Sequence, residues 1–132
     1  PVNRYHLPCF IYAPQLIAPT LENRLVSQID LAPTILGLMK INYTSRFMGY
    51  DIYNMIPGNE REFISTYQDM GYIRNGEMVI LSPRQKIEMV RPNFITGSNT
   101  RIKPIDSLVN EAIAWYQGAS YLYSSGGYKS TK

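Results

Sequence analysis

Apolar residues fall along this chain in two rhythms, a helical one toward its ends and a shorter one in its middle. From Cys9 to Ala13 they are continuous, with Phe10, Ile11 and Tyr12 held between Pro8 and Pro14. A run that is apolar at every position predicts a strand buried on both faces, as in the mainly parallel sheet of an α/β domain. Pro14 and Pro19 then remove backbone donors and fix φ, so the segment that follows is an irregular connection. Leu31, Ile35, Leu38 and Met39 recur at helical spacing, Asp30 stands where a carboxylate can cap free amides, and Pro33 falls within a first turn. These predict a helix from about Leu31 to Lys40 with one apolar face against the sheet. Asn42 to Tyr53 reads as a loop, with Gly49 as a tight-turn residue.

From Glu62 the period shortens. Phe63–Tyr67, Gly71–Arg74, Met78–Leu81 and Lys86–Val90 are short runs of strand formers. Asn75-Gly76 is a strong hairpin signal because both residues accept positive φ, and Ser82-Pro83-Arg84-Gln85 supplies a second turn. An antiparallel meander of three or four strands follows. A last helix is predicted from Pro104 to about Leu122, where Ile105, Leu108, Val109, Ala112, Trp115, Tyr116 and Ala119 share a face and Trp115 serves as a core anchor. The tail from Ser124, with Gly126 and Gly127, lacks the apolar content to order itself.

A length of 132 residues with 45% hydrophobic content allows one modest core, which is small for a complete multi-ligand metalloenzyme domain. The net charge of +3 is spread from Arg4 to Lys132 without a basic, aromatic-interleaved stripe, so no nucleic-acid partner is expected. A single cysteine, Cys9, excludes an intrachain disulfide and a Cys-rich zinc site. No run approaches the roughly 20 apolar residues of a spanning helix, so no direct membrane insertion is expected. Asn42-Tyr43-Thr44 matches a glycosylation pattern short enough to arise by chance.

His6 is the sole histidine and the candidate substrate-binding residue, since it precedes the Cys9–Ala13 run and could stand at the rim of a site. The plainer reading is a loop histidine hydrogen-bonded to set the start of that run. One histidine builds no metal site, and a Cys9–His6 nucleophile pair fails because residues three apart in a strand point to opposite faces. Asp30 suits a helix cap better than a metal carboxylate, Ser27 and Thr34 have no base nearby, and Gly126-Gly127 lacks the strand-to-helix setting of a phosphate loop. Catalytic and metal-binding residues are therefore expected to be none. The eleven tyrosines are explained by core and interface packing.

Three blocks taken together carry a family resemblance: Arg4-Tyr5-His6-Leu7-Pro8-Cys9-Phe10-Ile11-Tyr12-Ala13-Pro14, then Val26-Ser27-Gln28-Ile29-Asp30-Leu31-Ala32-Pro33-Thr34-Ile35-Leu36-Gly37-Leu38, then Gly49-Tyr50-Asp51-Ile52. They resemble the stretch that follows the metal-binding Asp-His-Gly motif in sulfatase-like phosphoglycerol transferases, the lipoteichoic acid synthase branch of the alkaline-phosphatase superfamily. Phe63-Ile64-Ser65-Thr66-Tyr67-Gln68 and the hairpin opened by Gly71 and Tyr72 are similar too. The resemblance implies an α/β sandwich in a parent enzyme, with a divalent metal of the manganese or zinc class and a Thr, Ser or modified Cys nucleophile. It implies a membrane-anchored parent with an extracytoplasmic catalytic domain. Those metal and nucleophile motifs lie upstream in the family, so the chain itself is expected to hold no cofactor and to be structural and inactive.

On this reading, residues 1–58 are a strand, loop and helix of the catalytic domain, 59–123 are the meander and terminal helix, and 124–132 are a flexible tail. The expected partner is the remainder of that domain, and self-association is expected of the isolated chain, whose surface around Phe10, Ile35 and Leu38 needs cover. The rival reading is a stand-alone module that binds a glycan or peptide on the meander. A small independent hydrolase using His6 is the third.

Overall fold

The structure, a computed structural model, describes residues 2–129. A 3-10 turn, Val2–Tyr5, is followed by an irregular stretch, a second 3-10 turn, Gln28–Asp30, and helix α1, Leu31–Leu38. Five strands then run in order: β1 Arg61–Ser65, β2 Met70–Arg74, β3 Glu77–Ser82, β4 Lys86–Pro92 and β5 Asn99–Ile102. Helix α2, Asp106–Ser124, completes the fold. Every strand pairs antiparallel with its neighbour in sequence, so the sheet order is that of the chain.

Side chains alternate across this sheet, and each face finds a different cover. Tyr72, Val79 and Met89 turn to α2 and pack on Leu108, Val109 and Ala112, with Phe63 and Trp115 at the margin. Ile64, Ile73, Met78 and Val90 turn the other way, under Val2 and Leu25. Burying each such large side chain contributes about 1.5–3 kcal/mol. Two polar ties fix the register of α2 on the sheet: the Tyr116 hydroxyl donates to the Gly71 carbonyl at 2.8 Å, and the Tyr72 hydroxyl donates to Glu111 at 2.9 Å.

The expected strand at Cys9–Ala13 does not form. The segment is irregular, and Phe10 and Tyr12 are 91% and 90% exposed. A strand buried on both faces needs strand neighbours and a layer on each side, and α2, Val2 and Leu25 already cover the meander. Helix α1 forms as predicted but ends at Leu38, and Lys40 takes φ +54°. It buries Pro33 and Thr34, while Ile35 and Met39 of the expected packing face are exposed.

The meander has five strands where the sequence predicts three or four, and the polar β5 is the one it gives no sign of. Helix α2 begins after Pro104, at Asp106. Beyond it, Ser124 to Lys129 are turned back by local bonds: Gly127 N–H donates to the Leu122 carbonyl at 2.8 Å and Gly126 N–H to that of Tyr123 at 3.3 Å, with Gly126 at φ +74°. This glycine-terminated closure satisfies carbonyls that the helix end leaves free. Arg46 also donates to the carbonyls of Gly127 and Lys129. The rest of the expected tail lies outside the described residues.

Candidate functional site

The most heavily built polar site joins the segment before the meander to β1. Arg61 opens β1 and is 1% exposed, and Asp30 ends the second 3-10 turn and is fully buried. The guanidinium meets the carboxylate in a two-pronged pair, 2.9 Å to Oδ2 and 3.0 Å to Oδ1. Asp30 also accepts the backbone N–H of Ser27 at 2.9 Å and of Tyr50 at 2.7 Å, so each oxygen has two donors. Arg61 donates further to the Met48 carbonyl at 3.1 Å. Its guanidinium carbon stands 4.3 Å from the Tyr50 ring centre, 5.2 Å from Trp115 and 5.4 Å from Phe63. The aromatic faces supply the negative potential that water no longer can. Its Nε–H finds no partner among the described residues.

Asp30 therefore does not cap α1 as expected. Its backbone is already helical, φ −83° and ψ −14°, because the 3-10 turn runs into the helix, whereas a capping side chain needs an extended backbone. Thr34 serves the same joint: its hydroxyl donates to the Asp30 carbonyl at 2.6 Å and accepts the Ile52 N–H at 3.1 Å. Gly49 is a close approach, since a Cβ there would stand 2.0 Å from the Ile29 carbonyl oxygen. Glu62, half-buried beside this pair, accepts its neighbour Phe63's N–H at 3.1 Å and lies 3.5 Å from Ser27 Oγ. Loss of water and the nearby Asp30 charge push its carboxyl up to about 7.

His6 lies apart from this joint. It is exposed after the first 3-10 turn, with its backbone N–H on the Asn3 carbonyl at 3.3 Å, and Cys9 is likewise exposed. Ser27 and Thr34 are buried, so neither is presented to a substrate. Two shallow hollows stand out, one against the sheet and one within the loop that precedes β1. One of about 150 Å³ lies beside Tyr5, Thr66, Asp69 and Asn99, and one of about 210 Å³ beside Tyr50, Asp51, Asn54 and Asn59; His6 lines neither.

The residues present do not fit a catalytic metal. Among the described residues no group of three or more His, Cys, Asp or Glu side chains could hold an ion, and the carboxylate of Asp30 is saturated by donors. What the joint can do is hold two segments together and raise the titration of Glu62 toward neutral pH.

Most of the backbone is similar to a crystal structure of a protein in the alkaline phosphatase superfamily from Vibrio parahaemolyticus, with a TM-score of 0.81 and 25% sequence identity. The fold is a fragment of an alkaline-phosphatase-like fold. The likeness covers 87% of this chain and 28% of that one, so the chain spans less than a third of that protein's length. No protein-family model matches the chain.

The joint was missed in sequence because its members come from three separated stretches. The Ser27-Gln28-Ile29-Asp30 spacing, that of a capping box, was the available signal. Arg61 and Glu62 open a strand with no local mark of burial.

Proposed function

We propose that this chain is the C-terminal part of a sulfatase-like hydrolase or phosphoglycerol transferase, and that it completes the catalytic domain structurally without catalysing a reaction itself. The single observation that carries this reading is the likeness of its fold to less than a third of an alkaline phosphatase superfamily protein. The exposed run of Phe10, Ile11 and Tyr12 supports it, because strand formers with no neighbour in this chain are suited to pairing within a larger sheet. The parent supplies the nucleophile and a divalent metal of the manganese or zinc class, acts on a phosphoric or sulfuric ester, and is membrane-anchored with its catalytic domain outside the cytoplasm. His6, exposed after the first 3-10 turn, is the residue of this chain that we assign to the substrate rim of the parent.

The test compares the chain alone with the chain joined to the rest of its domain, in metal-dependent hydrolysis of aryl phosphate and aryl sulfate. Activity in the joined protein alone is expected, and the preferred ester names the chemistry. Turnover by the chain alone that His6→Ala abolishes overturns the reading.

A further inference from the structure

The loop between β4 and β5 is pinned by its own polar groups while it holds apolar side chains in solvent. Asn93 Oδ1 accepts the N–H groups of Ile95 and Thr96 at 3.0 and 2.9 Å. Asn93 N–H donates to the Ser98 carbonyl and Gly97 N–H to the Asn93 carbonyl, both at 2.8 Å. Gly97 sits at φ +74°, and a Cβ there would stand 2.7 Å from Asn3 Oδ1, so the first 3-10 turn braces the loop from one side. At the tip of this frame Ile95 is 91% exposed and Phe94 48%. Scattered apolar side chains on a surface need no explanation, but Ile95, held out in solvent on a braced tip beside the half-exposed Phe94, marks a contact.

Cations flank this tip on both faces of the sheet. Arg91 pairs across with Thr100, and Arg101 with Val90, which precedes Arg91; successive positions alternate, so the two guanidiniums emerge on opposite faces. Their side chains are 65% and 73% exposed, and their carboxylate partners, Glu77 and Glu88, are recessed at 18% and 25%. Between Arg91 and Arg101 the sequence contains no acidic residue.

We propose that the β4–β5 tip docks on an anionic lipid surface. Phe94 and Ile95 enter the boundary between headgroups and acyl chains, while Arg91 and Arg101 lie against lipid phosphates, as interfacial segments with apolar and basic faces do. A pocket on a protein partner would also accept the apolar pair. The cations on both faces and the acid-free tip favour a surface that carries negative charge all round it. The contact is shallow: no helix among the described residues is long and apolar enough to cross a membrane.

The experiment is co-sedimentation of the full chain with vesicles of phosphatidylserine and phosphatidylcholine in equal parts, and with phosphatidylcholine alone. An Ile95→Trp variant reports entry by a blue shift in its emission. Binding to the anionic vesicles is expected, lowered about fivefold by Arg91→Gln or Arg101→Gln and lost in Ile95→Asp, with unchanged far-ultraviolet circular dichroism in each. Equal binding to neutral vesicles overturns the proposal, and so does no binding to either, which would assign the tip to a protein pocket. The assay needs no catalytic partner, so its failure is separate from failure of the proposed enzymatic role.

Discussion

A guanidinium withdrawn from water must be held by what replaces the water, and Arg61 is held by one carboxylate, one carbonyl and three aromatic rings. Removing one partner of such a pair leaves the other charged and unsolvated. Arg61→Leu is expected to cost about 3–5 kcal/mol in denaturant unfolding. Pairing it with Asp30→Leu should recover only part of that, because the amides of Ser27 and Tyr50 lose their acceptor. Glu62 gives the same joint a pH response. Its carboxyl, ordinarily near 4.5, is raised to about 7 in the folded chain, so between those values the folded state binds more protons than the unfolded. Stability is therefore highest on the acid side of this window and falls as pH rises through it. Denaturation midpoints measured at about pH 5 and about pH 8 should differ in this direction, and the part of the difference due to this group should vanish in Glu62→Gln.

At the scale of elements, the two hairpins that enclose β3 make an internal comparison. One turns on Asn75-Gly76, residues suited to positive φ; the other places Arg84 and Gln85 at φ +60° and +59°, where side chains with a Cβ are strained. Replacing that pair by Asn-Gly is expected to raise stability by about 1–2 kcal/mol in thermal unfolding. Gly49→Ala should lower it by about 3 kcal/mol, since the clash is with backbone that cannot rotate away. These turns also show what could be read in advance. Asn75-Gly76, the run of strand formers at Met78–Leu81 and the spacing of Leu108, Val109 and Ala112 specify hairpin and helix locally, and all formed. Strand β5, Asn-Thr-Arg-Ile, has no such pattern and exists because β4 offers it an edge. The Cys9–Ala13 run failed for the opposite reason: its pattern is strong, but it needs neighbours that this chain does not bring to it. The joint of Asp30, Tyr50 and Arg61 was illegible because its geometry appears only when separated stretches meet.

At the scale of the whole molecule, apolar surface is concentrated in the irregular stretch before α1, where Leu7, Phe10, Tyr12, Leu16 and Leu21 are all exposed. Such a surface favours association, and the isolated chain is expected to form oligomers in light scattering at high concentration. Phe10→Ser with Tyr12→Ser should shift it toward monomer, while a wild-type chain that stays monomeric would show that this surface is tolerated in water.

The sheet order of β1 to β5 has a kinetic consequence. Every strand pairs with the one beside it in sequence, so no long loop must close before the meander's pairing begins, and low contact order favours rapid folding. The meander and α2 can thus assemble first and shelter Tyr72, Val79 and Met89 while the stretch around Phe10 is still unpaired. If a larger sheet receives that stretch, its docking is a separate and later event, and the interval between the two is when the chain is most exposed to aggregation.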